Sequence, residues 1–167
     1  SSEYYVEGEK TATTSVYIGS KSAKLGLRGE ISLEAAKDLL AGYTPDGTRI
    51  RGKKTSGEEI LAHDNTLSAP KSVSIHCAED MRLLDCHIAA VQQTIAAMER
   101  YYCVQRVQKD GIRTLEKGDG FVGWMTHHWT SRESEIDLHT HVMTMNGCMG
   151  ADGKWRAIED HRLVSAP

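Results

Sequence analysis

Three histidines in the last third of the chain have the spacing of a metal site. His139 and His141 are separated by one residue, and alternate side chains of a β-strand point to the same face, so the two imidazoles would lie side by side. His128 stands eleven residues before His139, and the polar run 130–137 between them is typical of a loop joining two antiparallel strands. Neutral imidazole is the commonest protein ligand for divalent transition metals, and three imidazoles leave coordination positions open. This pattern predicts a metal site that does chemistry.

The histidine pattern by itself is compatible with several enzyme classes. A single histidine in a strand is more often a core or surface residue than a ligand, but a paired spacing with a third histidine is a stronger signal. Cupin-like oxygenases, zinc hydrolases and DNA-nicking enzymes all place His-x-His on a strand. The rest of the chain has to separate these classes.

The composition is that of one ordinary globular domain. A chain of 167 residues can bury a core without disulfides or a structural metal, and 40% hydrophobic with 26% charged residues is usual for soluble proteins. The net charge is -3 and the pI is about 6.2, so the molecule has no overall basic field. Any binding of nucleic acid must therefore use local patches.

The cysteines and the hydropathy predict a cytoplasmic protein. Cys77, Cys86, Cys103 and Cys148 have no paired spacing, which argues against a zinc ribbon or a disulfide framework. The chain has neither an apolar run of about 18 residues nor a signal-peptide pattern at its start. We therefore expect no membrane span.

The elements that must hold the histidines follow from the hydrophobic pattern. Residues 120–128 and 138–145 predict the two strands that carry them, and residues 79–102 predict a long amphipathic helix. The apolar side chains of this helix recur every three or four residues: Leu84, Ile88, Val91, Ile95, Met98 and Tyr102. This stripe would lie across the sheet as part of the core.

The first third of the chain predicts a loop followed by a helix. Residues 10–22 are rich in Thr, Ser and Lys, which favours a loop or mobile lid. Ser32 has the position of a helix cap, and the helix should end at Gly42.

The middle of the chain predicts one more strand and a hairpin. Residues 72–75 alternate polar and apolar after Pro70, which favours a half-buried strand. Asp110 and Gly111 lie between the runs 104–108 and 112–115, which is a strong signal for a tight hairpin. Together the elements predict an α+β domain over residues 1–167, in which helices cover an antiparallel sheet.

Two further stretches carry side chains suited to DNA chemistry. Arg49, Arg51, Lys53 and Lys54 form a dense basic segment, which is usually a solvated loop but is also the clearest place for a phosphate backbone. The adjacent tyrosines at positions 4 and 5 normally indicate packing. With a metal site in the same chain, a phenol there becomes a candidate nucleophile.

Three separated motifs occur in order: SAPKSVS at residues 68–74, HWTSRE at 128–133 and LHTH at 138–141. In this combination, from Tyr4 to about Leu163, the chain resembles the conjugative relaxases of the MobF type, a branch of the HUH endonucleases. The resemblance implies an HUH fold with a ferredoxin-like palm. It also implies site- and strand-specific DNA nicking and joining that starts plasmid transfer.

The resemblance further implies partners and a cofactor. The substrate would be single-stranded DNA at an origin of transfer, and accessory proteins of the relaxosome would be further partners. The histidines would hold a divalent ion, with Mg²⁺ or Mn²⁺ favoured and Zn²⁺ or Ni²⁺ able to bind in vitro.

Site residues can be carried over from the family pattern. Tyr4 matches the nucleophile that becomes linked to the 5′ end, with Tyr5 as the fallback. Asp64 matches an acidic residue near the nucleophile and would accept the phenol proton or fix the tautomer of a ligand histidine, unless it is an ordinary turn or cap aspartate. Lys71 is a candidate for a phosphate contact or, equally, for a structural role. Apart from the family pattern, Arg132 could add local positive charge for DNA, and Trp129 could stack on an unpaired base from the loop beside the site.

The chain departs from the family pattern in places. The strand that precedes the tyrosine helix is missing and the chain stops at Pro167, which predicts a domain shortened at both ends. A second tyrosine pair of many relatives is replaced by a lone Tyr17.

Three further functions are compatible with a histidine site of this kind. A rolling-circle replication initiator normally has its tyrosine after the histidines, whereas no tyrosine follows His141. A small-molecule enzyme of the cupin type would need many short strands, and the long helix predicted at residues 79–102 argues against it and against a zinc hydrolase. An inactive module that binds single-stranded DNA would keep the metal for structure alone.

Overall fold

A computed structural model describes residues 14–50, 60–131 and 135–159. Its helices are Ser20–Lys24 (α1), Leu33–Ala41 (α2), Lys71–Cys77 (α3) and Arg82–Tyr102 (α4). Its strands are Ser15–Ile18 (β1), Ala62–Ser68 (β2), Val104–Lys109 (β3), Ile112–Lys117 (β4), Gly123–Thr130 (β5), Ile136–Met145 (β6), Cys148–Met149 (β7) and Trp155–Arg156 (β8). The predicted α+β class, with helices and an antiparallel sheet, is confirmed.

The main sheet has four strands in the order β1-β5-β6-β2, and each neighbouring pair is antiparallel. The two predicted histidine strands are thus adjacent at its centre, with slightly shifted ends. His128 lies directly opposite His139 in the ladder. The register shifts between His128 and Thr130, at the point where β5 leaves the site.

Alternation along β5 and β6 sends side chains to two faces of this sheet, and each face has its own apolar cluster. One cluster joins the sheet to α2: Ala35, Ala36, Leu39, Trp124, Met143 and Met145, with Ile31, Ile50 and Val122 around them. The other joins the sheet to α4: Ile18, Val91, Ile95, Met125 and Val142. Burial of each large apolar side chain contributes roughly 1.5–3 kcal/mol, so both faces hold the strands in place.

Both predicted helices are present. α2 follows Ser32, whose hydroxyl accepts a hydrogen bond from the Ala35 backbone N–H at 3.1 Å, and it ends at Gly42 in the left-handed conformation, φ 91°. α4 begins at Arg82 rather than at residue 79, and its apolar stripe packs on the sheet as predicted. Its length lets one helix cross the back of both histidine strands.

The strand predicted at residues 72–75 is wrong, because this segment lies in α3. Four alternating residues are too few to separate a period of 2 from one of 3.6. Pro70 stands at the start of the helix with φ -53°, which suits a helix entry, and the Ser74 hydroxyl donates to the Pro70 carbonyl at 3.3 Å. The strand of this region is β2, one element earlier, and it carries Asp64.

The loop or lid predicted at residues 10–22 is also wrong over its described part. Residues 15–18 form β1, which pairs with β5, and α1 begins at Ser20. Lys21 is buried because its ammonium meets the carboxylate of Asp119 at 2.6 Å. A polar composition therefore concealed an edge strand whose partner lies more than a hundred residues later in the chain.

The predicted hairpin is confirmed as β3 and β4. Lys109 pairs with Ile112, and the two turn residues Asp110 and Gly111 have φ angles of 51° and 79°. Positive φ at both positions is the requirement of a type I′ turn.

Two further features concern the cysteines and the helices. Cys77, Cys86, Cys103 and Cys148 are all free thiols. Among the described residues, none of the helices combines the length and apolar character needed to cross a membrane.

Candidate metal centre

His128, His139 and His141 meet on one face of the sheet. Their ring centroids are 5.1 Å apart for His128 and His141, 5.2 Å for His128 and His139, and 5.3 Å for His139 and His141. His128 and His139 are buried, at 3% and 8% exposure. The structure therefore brings the predicted set together.

The geometry follows from the pairing of β5 with β6. His128 faces His139 across the ladder, and His141 follows two residues later on the same face. On the other side of β6, Thr66 of β2 pairs with His141. A slip of one residue in either pairing would turn the rings to the opposite face.

Two of the rings are held through their Nδ1 atoms. The His141 Nδ1 lies 3.0 Å from both carboxylate oxygens of Asp64, and the His139 Nδ1 lies 2.8 Å from the backbone carbonyl of Asp137. Each contact places the ring proton on Nδ1, since carboxylate and carbonyl oxygens only accept. The Nε2 lone pair of both rings is then the one suited to a metal, as in many carboxylate-histidine-metal arrangements.

The surroundings keep His128 neutral. Burial, followed by the neighbouring His141 and His139, lowers the pKa of His128 to about 4, while Asp64 acts weakly in the opposite direction. At neutral pH this imidazole therefore carries no proton charge to compete with a cation. A neutral imidazole can bind a metal ion through the nitrogen that would otherwise take up a proton.

The three imidazoles fit a divalent ion in number and donor chemistry. Their centroid spacing is of the order expected for nitrogens that each approach an ion to about 2 Å. Within residues 14–50, 60–131 and 135–159, however, no group of three or more His, Cys, Asp or Glu side chains is already disposed to hold an ion. The rings are inclined to one another by 30°, 70° and 74°. Because the three rings do not yet form such a group, binding of an ion would be accompanied by rotation of their side chains.

The opposite face of the same two strands carries a second polar cluster. His127 points there, as its alternation with His128 requires, and its Nδ1 lies 2.7 Å from the Thr140 hydroxyl. The same hydroxyl lies 2.8 Å from Nε2 of His87 on α4. Burial lowers the pKa of both histidines.

Sequence reasoning missed His87 and Thr140. His87 lies on the apolar stripe of α4, one turn before Val91, and a histidine in such a stripe is the signal that was available. Thr140 separates His139 from His141, so strand alternation alone places it behind them. Neither pattern predicts that His87 on α4 contacts Thr140 on β6.

The other predicted DNA contacts are dispersed. Lys71 forms an exposed ion pair with Glu135 at 3.0 Å, at the start of α3. Trp129 lies in β5 and is half-buried, so its predicted place in a loop is wrong because the strand runs on to Thr130. Arg49 is exposed and its backbone bridges to Tyr43. The remaining predicted site residues lie outside the described residues: Tyr4, Tyr5, Arg51, Lys53, Lys54 and Arg132.

Tyr17 has the wrong place and chemistry for the nucleophile. It pairs with Trp124, four residues before His128 along β5, which corresponds to roughly 13 Å of strand. Burial and the charge of Asp38 raise the pKa of its phenol. Both effects disfavour a phenolate at this position.

Comparison with known families and proteins finds matches to a relaxase family and to conjugation proteins. The family model of the TrwC relaxase matches residues 1–167. The multifunctional conjugation protein TraI of Escherichia coli is 31% identical over 163 residues, and the TraI of strain K12 matches with the same identity. These matches cover 96% of this chain but only 9% of TraI.

Solved structures give the same result. The metal-bound conjugative relaxase TrwC in complex with oriT DNA superposes with a TM-score of 0.88 at 33% identity, over 99% of this chain and 58% of that one. The metal-free TrwC complex with oriT DNA gives 0.85 at 33% identity, over 99% and 57%. TrwC bound to a 27-mer with the recognition hairpin and the cleavage site gives 0.83 at 32% identity, over 99% and 57%. This chain spans less than two thirds of the length of those chains. The TM-scores confirm the predicted HUH fold.

Proposed function

Because the chain belongs to the TrwC relaxase family, we propose that it cuts and rejoins one strand of DNA at an origin of transfer, with a tyrosine nucleophile and a divalent ion. The observation that carries the proposal is the meeting of His128, His139 and His141, with the Asp64 carboxylate on His141. This is a set of neutral nitrogen ligands with one anionic support.

The histidines would bind the ion and leave its charge available. When bound, the ion would polarise the scissile phosphate and offset the charge that develops on its non-bridging oxygens. Neutral imidazoles do not reduce that charge, and Asp64 would act by fixing the ring of His141 with Nε2 towards the ion. We take Mg²⁺ or Mn²⁺ as the ion in the cell, and we expect Zn²⁺ and Ni²⁺ to bind in vitro because imidazole suits them.

Tyr4 is the proposed nucleophile, with Tyr5 as the fallback. The phenol would lose its proton to a base, and its oxygen would attack the phosphorus. The bond from phosphorus to the 3′ oxygen would break, and that oxygen would leave as a 3′ hydroxyl after taking a proton back from the base. The 5′ end would remain attached as a phosphotyrosine. Because one phosphodiester replaces another, the 3′ hydroxyl can reverse the step, which is how joining differs from hydrolysis.

The experiment is a covalent-adduct assay. The protein is incubated with labelled single-stranded oriT DNA and Mn²⁺, and the product is run on a denaturing gel. We expect a slow-migrating adduct that Tyr4→Phe abolishes and Tyr5→Phe retains. Tyr5→Phe is the matched control, since each variant loses one hydroxyl at adjacent positions. An adduct that survives in the double variant would refute the assignment of the nucleophile to this pair.

We further propose that single-stranded DNA follows the basic segment Arg49, Arg51, Lys53 and Lys54, with Lys71, Trp129 and Arg132 as additional contacts. The net charge of -3 gives no general attraction, so binding must depend on such local cations. Changing the four residues to Ser should weaken DNA binding and flatten its salt dependence. The control removes four exposed cations elsewhere, namely Arg100, Lys109, Arg113 and Lys117. Equal losses from the two variants would argue for a nonspecific charge effect.

A further inference from the structure

A buried hydrogen-bond network lies directly behind the three ligand histidines. The Thr140 hydroxyl is within 2.8 Å of the His87 Nε2 and within 2.7 Å of the His127 Nδ1. Thr140 is completely buried and His87 is 8% exposed. The side chains of Thr140 and His87 therefore lie inside the layer between α4 and the sheet, and His127 is half-buried beside them.

The chemistry of one hydroxyl restricts this network to defined tautomers. A threonine hydroxyl has a single proton, so it donates to one imidazole and accepts an N–H from the other when both bonds are made. A buried polar group that loses such a partner destabilises the fold, because it stays out of contact with water as well. The three side chains therefore hold one another in a fixed arrangement.

The position of the network connects it with the metal site. Thr140 lies between His139 and His141 on β6, and His127 precedes His128 on β5. His87 belongs to α4, so the Thr140 hydroxyl joins the helix to both histidine strands at the level of the ligands. A rotation of either strand at this level would move the rings on the opposite face.

We propose that Thr140 and His87 are positioning residues for the metal centre. They fix the separation and rotation of β5 and β6 behind the three imidazoles, so that the Nε2 atoms can converge on one ion. Neither side chain touches the ion. The inference rests on the proposed metal role of His128, His139 and His141.

The test compares two buried threonines on one strand and one face. Thr140→Val removes the hydroxyl at almost constant volume, and Thr140→Ser retains it. Thr144→Val is the matched control, because Thr144 is 1% exposed and its hydroxyl has no hydrogen-bond partner among the described residues. Co²⁺ is the probe, since titration calorimetry gives its affinity and its visible absorption reports the geometry of its ligands.

We expect Thr140→Val to weaken Co²⁺ binding roughly tenfold, at the lower end of the effect of outer-shell partners, and to alter the absorption spectrum. Thr140→Ser and Thr144→Val should resemble the unchanged protein in both measurements. A purely structural role would lower the melting temperature of Thr140→Val but leave the affinity and spectrum unchanged, and that result would overturn the proposal.

A second variant approaches the network from the helix. His87→Leu breaks the link from α4, and we expect the same change in affinity and spectrum; it decides the question if Thr140→Val fails to fold. His139→Ala distinguishes failure of the positioning role from failure of the metal site. If His139→Ala binds Co²⁺ as well as the unchanged protein, the metal site and this inference both fail. If it loses Co²⁺ while Thr140→Val and His87→Leu keep it, only the positioning role fails.

Discussion

The two faces of the β5 and β6 pair carry histidines in opposite settings. On the front face His128, His139 and His141 surround one point, with centroids 5.1 to 5.3 Å apart. On the back face His87 and His127 are 6.1 Å apart and share the hydroxyl of Thr140 beneath α4. Strand alternation thus divides one short stretch between two faces, and we propose that one face is a metal site and the other its support.

Burial of the histidine rings has a different consequence on each face. Burial lowers the pKa of His128 on the front face and of His87 and His127 on the back face, so all three favour the neutral form. In front, neutrality leaves lone pairs that suit a cation. Behind, it leaves a ring nitrogen that accepts a hydrogen bond from a buried hydroxyl. The histidines of this segment are therefore not equivalent, because the face on which each one lies determines its surroundings.

The largest expected effect comes from removing a front-face ring. His139→Ala should abolish binding of one divalent ion, because it deletes a ligand rather than a support. His127→Ala should weaken binding only about tenfold, since it acts through the back-face network. Titration calorimetry with Mn²⁺ or Co²⁺ compares the two variants. Equal losses would mean that the division of the two faces is wrong.

A smaller effect is expected from the support of the front face itself. Asp64→Asn removes the charge that holds His141 at 3.0 Å, and metal affinity should fall by about 10–100-fold. The Asp64→Glu variant serves as the control that keeps the charge. If affinity is unchanged in Asp64→Asn while adduct formation slows by about 10²–10⁴-fold, Asp64 acts as a general base for the tyrosine and not as a support.

The meeting of the three histidines on one face was predictable because strand periodicity is a local rule. One residue between His139 and His141 fixes their common face, and the polar run before them fixes the hairpin that brings His128 opposite. The cap Ser32, the stop Gly42 and the stripe of α4 are equally local signals. The roles of Tyr4 and of the DNA-contacting residues remain predictions.

The wrong or missing predictions concern elements that depend on contacts between distant parts of the chain. α3 is held by Ser74, whose hydroxyl accepts a hydrogen bond from the Leu138 backbone N–H at 3.1 Å, and no short-range pattern contains that contact. β1 exists because β5 supplies its partner, and Lys21 is buried because Asp119 neutralises it. The His87–Thr140 contact likewise spans 53 residues.

The stability of the metal-free protein should depend on pH through both faces. An unfolded histidine has a pKa of about 6.5, whereas His128 titrates at about 4 in the fold. Between these values the unfolded chain binds a proton that the folded chain does not, so the free energy of unfolding falls as the pH falls through this window. His87 and His127 add the same sign, since burial lowers the pKa of each.

Denaturant unfolding with a chelator present, at pH 7 and pH 5, measures this loss of stability. His128→Asn should reduce the pH dependence, while His76→Asn, at an exposed histidine, is the control. A protein that is more stable at pH 5 than at pH 7 would contradict the sign.

The smallest expected effect on the metal site comes from a front-face hydroxyl outside the ligand set. Thr126 lies on the same face as His128, and its Oγ1 is 2.7 Å from the Ser15 Oγ of β1. Thr126→Val should lower the free energy of unfolding by about 1–3 kcal/mol, because it breaks a buried hydrogen bond. Its Co²⁺ affinity should stay within about twofold of the unchanged protein.

The two variants should differ in Co²⁺ affinity because the hydroxyls of Thr126 and Thr140 bond to different elements. The Thr126 hydroxyl ties β5 to the edge strand β1, whereas the Thr140 hydroxyl ties β5 to β6 and α4, and only the second link determines how the three imidazoles face one another. Denaturant unfolding and Co²⁺ titration on Thr126→Val and Thr140→Val measure both quantities in parallel. If the two variants lose affinity equally, any buried hydroxyl bonded to these strands matters as much as the back-face network. The contrast between the faces would then reduce to general stability.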